Sequence, residues 1–102
     1  MQTKIYIAGK VSGLAYQDLI QKFGSVEETL TEQGYKVINP IAIIQEGIDW
    51  EPAMAVCLRE LVDCSEIFML HDWKQSKGAI LEHHIAKQLK LKIHYGIELK
   101  NK

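Results

Sequence analysis

A chain of 102 residues, 47% hydrophobic and 25% charged, has the size and composition of one globular domain, expected here to span residues 1–102. Its 12 basic and 13 acidic residues give a net charge of −1, without the positive excess typical of a protein that binds DNA or RNA. No apolar run approaches the length of a membrane span, and the first residues lack the apolar core of a signal peptide. We therefore expect a cytoplasmic protein that binds neither a nucleic-acid polymer nor a membrane.

Segments with the apolar pattern of strands alternate with segments of helical periodicity. In chain order, we predict a strand at 4–8, a helix at about 16–33, a strand at 35–38, a helical turn near 41–45, a helix from 50 to about 63, a strand at 67–70, a helix at 78–89, a strand at 91–95 and a polar tail. Gly34 is predicted to end the first long helix and Asp49 to cap the second. This order predicts an α/β fold in three layers, Rossmann-like or flavodoxin-like, with a parallel sheet of about four strands and helices on both faces.

The cysteines and histidines indicate neither a disulfide nor a metal site. Cys57 and Cys64 lie on one predicted helix at a sequence distance that separates them by about 10 Å, too far for a disulfide bond. His83 and His84 are adjacent, so they point about 100° apart on a helix, and the other two histidines add no metal-ligand spacing. We expect no metal and no cofactor, and reduced thiols agree with a cytoplasmic location.

A carboxylate interrupts the apolar face of the predicted helix at 78–89. At about 100° per residue, Glu82 projects into the middle of a face formed by Gly78, Leu81, Ile85, Ala86 and Leu89. A carboxylate among apolar neighbours is costly unless it is hydrogen-bonded or used for chemistry. The alternative is a first-turn Glu that is stabilised by the helix dipole.

Three loops follow the first three predicted strands, and in a parallel sheet they lie at the edge where ligands bind. These loops, at 9–13, 39–40 and 71–78, contain the polar candidates Lys10, Ser12, Asn39, Asp72, Trp73 and Ser76. The glycine-bearing loop 9–13 and the helix start at 76–78 could each bind an anion through backbone N–H groups. The alternatives are a tight glycine turn and a Ser76 N-cap. Trp73 could stack on a base or cover the edge of the sheet.

Three segments together resemble the nucleoside 2-deoxyribosyltransferase superfamily. They read IYIAGKVSG at 5–13, INP at 38–40 and LHDWKQSKGAILE at 70–82. Within the superfamily, the chain is most similar to the DUF4406 branch and next to the 2'-deoxynucleoside 5'-phosphate N-hydrolases. The similarity runs from the first predicted strand to the last.

The resemblance implies a role for several side chains. Glu82 matches the nucleophile that attacks C1' of the sugar and forms a glycosyl-enzyme intermediate, which water or a second base resolves. Tyr6 matches the tyrosine that orients this carboxylate. The loops that hold the sugar or its 5'-phosphate contain Gly9, Lys10, Ser12, Ser76 and Gly78. The implied activity is cleavage of the N-glycosidic bond, or deoxyribosyl transfer, on nucleosides or their 5'-monophosphates.

One position departs from the family pattern. Members usually have an Asp about 25 residues before the Glu, where it helps to protonate the leaving base; here that position is Cys57, and a thiol is a weak general acid. Asp72, at the end of the third strand, could supply the proton instead. The alternative is a catalytically weak nucleotide-binding module.

Ile80 is predicted to lie opposite the buried face of its helix, beside His84 and Lys87. Related enzymes that resemble this chain are dimers or larger, with a neighbouring subunit that completes the site. We therefore expect a homodimer, or a larger homo-oligomer, whose interface includes Ile80, His84 and part of the preceding helix, such as Val62.

Overall fold

The computed structural model describes residues 2–96. Its elements are β1 (Lys4–Ala8), α1 (Tyr16–Glu32), β2 (Lys36–Ile38), α2 (Pro40–Ile43), α3 (Trp50–Val62), β3 (Glu66–Met69), a 3-10 turn (Trp73–Gln75), α4 (Lys77–Gln88) and β4 (Lys92–Tyr95). Every predicted helix and strand is present, and its ends agree with the prediction to within two residues. The predicted polar tail lies outside the described residues. Within residues 2–96, no helix combines the length and the apolar character needed to cross a membrane.

The four strands form one sheet in the order β2-β1-β3-β4, and every neighbouring pair is parallel. Tyr6 in β1 is in register with Ile38 of β2 on one side and Ile67 of β3 on the other. The chain leaves β1 toward β2 and later returns to place β3 on the opposite side of β1. The loops after β1 and β3 therefore lie side by side at the carboxyl edge of the sheet, at its topological switch point.

Helices cover both faces of this sheet, which confirms the predicted three-layer α/β fold. Successive residues of a strand point to opposite faces. Ile5 and Ile7 of β1 accordingly pack in one core with Phe23 of α1. Tyr6 and Ala8 pack on the other face in a second core, together with Leu61, Cys57, Ala79 and Ala86 from α3 and α4.

The ends of the helices follow the predicted signals in part. Gly34, with φ +98°, follows α1 in the left-handed conformation that glycine tolerates best. Asp49 occupies the N-cap position of α3, as predicted, but its side chain makes no capping hydrogen bond. Asn39 caps α2 by accepting from the N–H of Ile41, and Ser76 caps α4 by accepting from the N–H of Ala79.

The buried face of α4 differs from the predicted one. It consists of Gly78, Ala79, Glu82 and Ala86, whereas Leu89 is 47% exposed and follows the last residue of the helix. Small side chains allow close packing of α4: a Cβ at Gly78 would lie 3.0 Å from Sδ of Met54 on α3. Close approach of the helix, rather than large apolar side chains, therefore decides which side of α4 is buried, and Glu82 lies at its centre.

Candidate active site

A cleft of about 410 Å³ lies at the carboxyl edge of the sheet, within the size range of small-molecule sites. The loop after β1, the start of α1, the loop between α2 and α3, the first turns of α3 and the start of α4 form its walls. Side chains and backbone from six of the predicted site residues line it, namely Tyr6, Gly9, Ser12, Ser76, Gly78 and Glu82.

Glu82 and Tyr6 form the buried polar pair of this cleft. Glu82 is 5% exposed, and Tyr6 is fully buried in the core between β1 and the two helices. The Tyr6 hydroxyl donates a hydrogen bond of 2.6 Å to Oε2 of Glu82. The burial of Glu82 agrees with its predicted place on the apolar face of the helix, and the contact with Tyr6 agrees with what the family resemblance implies. The alternative of a first-turn Glu is wrong, because α4 begins at Lys77 and Glu82 lies beyond its first turn.

Burial is the main cause of the raised pKa of both Glu82 and Tyr6. Desolvation raises the pKa of Glu82 to about 7, although the hydrogen bond from Tyr6 lowers it in part. Desolvation and the nearby Glu82 charge raise the pKa of Tyr6 well above its usual value, so the phenol remains a donor. Near neutral pH a substantial fraction of Glu82 is therefore ionised, poorly hydrated and oriented by one hydrogen bond, which favours nucleophilic chemistry.

Cys57 lines the cleft beside this pair. Its side chain is 5% exposed and belongs to the same core as Tyr6. Burial raises the pKa of Cys57 to about 11, so the thiol is protonated at neutral pH. Cys57 and Cys64 are both free, as predicted.

The glycines and Ser76 shape the cleft through close packing and capping. A Cβ at Gly9 would lie 2.5 Å from Cδ1 of Leu70, because the end of β1 passes directly against the end of β3. Gly13 has a φ of +83°, so the tight glycine turn after β1 is present. Ser76 Oγ accepts a hydrogen bond of 3.1 Å from the N–H of Ala79, so Ser76 both caps α4 and lines the cleft.

Asp72 and Lys10 do not line the cleft. The Asp72 carboxylate accepts hydrogen bonds from the backbone N–H of Lys10 at 3.0 Å and from Lys22 Nζ at 2.7 Å. Burial raises the pKa of Asp72, but the bonds from Lys22 and the Lys10 N–H outweigh it, and the net pKa lies below its usual value. An ionised carboxylate whose two oxygens already accept hydrogen bonds is poorly suited to donate a proton. The structure therefore does not support Asp72 as the proton donor to the leaving base.

Asn39 and Trp73 also lie away from the cleft. Asn39 is buried, caps α2 and donates to Glu27 at 3.0 Å, a structural arrangement. Trp73 stacks on His83 with 4.1 Å between ring centroids, and its centroid is 6.2 Å from that of Tyr95 on the edge strand β4. Of the two interpretations of Trp73, the structure therefore favours cover of the sheet edge over stacking on a substrate.

Three residues that line the cleft, Trp50, Met54 and Glu46, were not predicted as site residues from the sequence. Trp50, Met54 and Cys57 form one stripe on α3, at i, i+4 and i+7 spacing, and all three face the cleft. Trp50 is 38% exposed, with Lys77 Nζ 4.2 Å from its ring centroid. Glu46, in the loop between α2 and α3, adds a second carboxylate. The stripe was detectable from periodicity; the contribution of Glu46 depends on how its loop folds back.

The fold and the cleft define an α/β domain with a buried carboxylate at the switch point of a parallel sheet. The family model named Domain of unknown function (DUF4406) matches residues 3–95, so the chain belongs to the DUF4406 family. This confirms the predicted branch, while the wider resemblance to the nucleoside 2-deoxyribosyltransferases stays a prediction. No curated protein matches the chain.

Proposed function

We propose that this protein cleaves the N-glycosidic bond of a (deoxy)nucleoside or its 5'-monophosphate, or transfers the deoxyribosyl group, with Glu82 as the nucleophile. The observation that carries the proposal is a carboxylate that is 5% exposed, lines a ligand-sized cleft and is bound by the hydroxyl of Tyr6. The resemblance of the segments around these two residues to nucleoside 2-deoxyribosyltransferases supports the same chemistry.

The proposed reaction has two steps. In the first step an oxygen of Glu82 attacks C1' of the sugar, the electron pair of the C1'–N bond leaves with the base, and the base takes up a proton. In the second step water attacks C1', releases the Glu82 carboxylate and gives up a proton; in transfer, a nitrogen of a second base attacks instead. Tyr6 holds Oε2 at 2.6 Å, so Oε1 is the oxygen that attacks.

Glu46 is the proposed proton donor to the leaving base. In the part of the chain that the structure describes, it is the carboxylate besides Glu82 that lines the cleft. The side chain of Glu46 is exposed, and Gly47 is the next residue. Glu46 can therefore contact a ligand without losing a contact in the protein interior. Cys57, with a pKa of about 11, and Asp72, in its ion pair with Lys22, are less suitable acids.

The sugar side of the ligand is proposed to contact the loop after β1 and the start of α4. Ser12 and Ser76 place hydroxyl groups on the cleft wall, and α4 directs its N-terminal end toward the same space. Among the described residues that line the cleft, no Lys, Arg or His is present. A 5'-phosphate would therefore be bound by hydroxyl and backbone N–H groups at the positive end of the helix dipole.

Release of free base is the direct test. The protein is incubated with each common deoxynucleoside and its 5'-monophosphate, and the products are separated by chromatography. We expect base release by the wild type, none above the blank for Glu82→Gln, and a rate about 10²–10⁴-fold lower for Glu46→Gln. Glu51→Gln, an exposed change in the first turn of α3, serves as the matched control and should retain the wild-type rate.

A second function, a nucleotide-binding module without turnover, is favoured by one observation. The position where the resemblance implies a carboxylate is a buried thiol, Cys57, whose pKa is about 11. Titration calorimetry with the same nucleosides and nucleotides distinguishes the two functions. Binding by a wild-type protein that releases no base with any of them would support the module and contradict the enzyme.

A further inference from the structure

The loop after β1 is bound by an ion pair whose two members come from other parts of the chain. Lys22 of α1 donates from Nζ to Oδ2 of Asp72, which follows β3, at 2.7 Å. The two side chains are only 23% and 14% exposed. This pair is therefore much less hydrated than a surface salt bridge, and its geometry is more restricted.

The same ion pair binds both backbone polar groups of one residue. The N–H of Lys10 donates to Oδ1 of Asp72 at 3.0 Å, and the C=O of Lys10 accepts from Lys22 Nζ at 2.8 Å. Both oxygens of the carboxylate are thereby used, one for the loop and one for Lys22. The orientation of the Lys10 backbone is set from both sides, and the chain proceeds from it directly into Val11, Ser12 and Gly13, which line the cleft.

We propose that Lys22 and Asp72 are positioning residues, which hold the loop 10–13 in the place where it contacts the sugar or phosphate of the substrate. The proposal rests on the proposed function, since it assigns these residues to binding by the same cleft. Neither side chain lines the cleft, so their effect on a ligand is transmitted through the backbone of Lys10. The lowered pKa of Asp72 means that the ion pair is formed at neutral pH.

A second Lys–Asp pair, far from the cleft, provides a control. Lys4, at the amino end of β1, pairs with Asp63, which follows α3. Their side chains are 25% and 70% exposed, and the pair lies at the opposite end of β1 from the cleft. If loss of any Lys–Asp pair affected substrate binding, Lys4→Met and Lys22→Met would act alike, whereas positioning of the loop requires only Lys22 and Asp72.

The test measures kcat and KM for base release from the best deoxynucleoside or deoxynucleotide substrate. We expect Lys22→Met and Asp72→Asn to raise KM by about tenfold to a hundredfold, as for a small displacement of a binding group. Lys22→Arg keeps the charge and should restore most of the affinity. Lys4→Met should change KM by less than about twofold. A KM of Lys22→Met within about twofold of the wild type, or an equal rise for Lys4→Met, would overturn the proposal.

Hydrogen exchange of the backbone amides separates this inference from the proposed function. We expect Lys22→Met to accelerate exchange at residues 10–13 and Lys4→Met to leave it unchanged there; equal exchange in both variants would refute positioning of the loop. Asp72→Asn is nearly isosteric and replaces Lys22→Met if the latter does not fold. A wild type that releases no base refutes the proposed function. The exchange result, in contrast, tests whether Lys22 and Asp72 position the loop 10–13, whatever the activity.

Discussion

The protonation of Glu82 links the stability of this protein to its proposed chemistry. Burial raises the pKa of Glu82 from 4.5 to about 7, so between these pH values the folded protein retains a proton that the unfolded chain has released. The contribution of this group to stability is therefore full below about pH 4.5, falls as the pH rises and is lost above about pH 7. A shift of this size corresponds to roughly 3 kcal/mol.

Replacing Glu82 by Gln should remove the loss of stability that accompanies ionisation of this carboxyl group. The amide cannot ionise and still accepts a hydrogen bond from Tyr6. The free energy of unfolding of the variant, relative to that of the wild type, should therefore increase by up to about 3 kcal/mol from pH 4 to pH 8. Urea unfolding of both proteins at the two pH values measures the difference. Glu46→Gln, at an exposed position, should show no comparable change. A stability difference that is the same at both pH values would contradict the raised pKa.

The pH dependence of base release depends on the same group with the opposite sign. In the proposed reaction Glu82 attacks only when ionised, so kcat/KM should rise with pH through about 7. The hydrogen bond from Tyr6 lowers the pKa of Glu82, and Tyr6→Phe should therefore move the midpoint upward as well as slow the reaction. Rates measured across the pH range for both proteins test this. A midpoint that stays the same or falls in Tyr6→Phe would show that the hydroxyl does not stabilise the carboxylate.

Gly9 is predicted to be intolerant of any side chain. A Cβ there would lie 2.5 Å from Cδ1 of Leu70, so Gly9→Ala should cost about 1–3 kcal/mol of unfolding free energy. In a double-mutant cycle, Leu70→Ala should remove only part of that cost, because the Cβ of residue 70, 2.9 Å from the new Cβ, remains. Gly24 within α1 is the matched control: nothing lies within 4 Å of its Cβ position, and Ala should stabilise the helix by about 0.5–1 kcal/mol. Additive costs of Gly9→Ala and Leu70→Ala would contradict the close contact.

The start of α4 connects the stability of a helix to the cleft. Ser76 caps this helix through the N–H of Ala79, so Ser76→Ala should destabilise the protein by about 1 kcal/mol. For a domain of this size, the corresponding fall in melting temperature is about 4–8 °C. Ser25→Ala, at an exposed position inside α1, should have little effect in the same thermal unfolding experiment. An equal effect of both substitutions would mean that the cap contributes nothing specific.

Exposed apolar side chains on α3 and α4 lie where the predicted homodimer interface would form, and the homodimer stays a prediction. Val62 is 55% exposed and Ile80 47% exposed, and His84 is exposed on the same helix as Ile80. Light scattering at micromolar concentration should therefore give about twice the monomer mass of 11.6 kDa. Ile80→Glu should shift the protein toward the monomer, because burial of a charge in an apolar interface is unfavourable.

Ile20 on α1 provides the control for that experiment. It has the same exposure of 47%, but its helix covers the other face of the sheet, so Ile20→Glu should leave the mass unchanged. A wild-type mass of one chain would contradict the dimer. A dimer that persists in Ile80→Glu but is lost in Ile20→Glu would place the interface on α1 instead.

The order of the helices and strands and the two-sided sheet followed from local patterns in the sequence, whereas those patterns alone left two interpretations of Glu82 open. Periodicity reports which side of an element is apolar, and a carboxylate on that side is costly unless it has a hydrogen-bond partner. Tyr6, on a strand between Ile5 and Ile7, was identified through its family resemblance rather than through periodicity. Its contact with Glu82 joins residues far apart in the sequence, and it exists because β1 is central and α4 packs on it closely.

The polar residues of the three loops show what local patterns cannot decide. Lys10, Asn39, Asp72 and Trp73 lie in segments that follow strands, as several residues that line the cleft do, yet each is bound to the protein itself. Whether a loop side chain faces a cleft or a neighbouring element depends on where distant parts of the chain, such as Lys22 or His83, happen to pack. Those long-range contacts are a property of the assembled three layers, so they could be found only in the folded molecule.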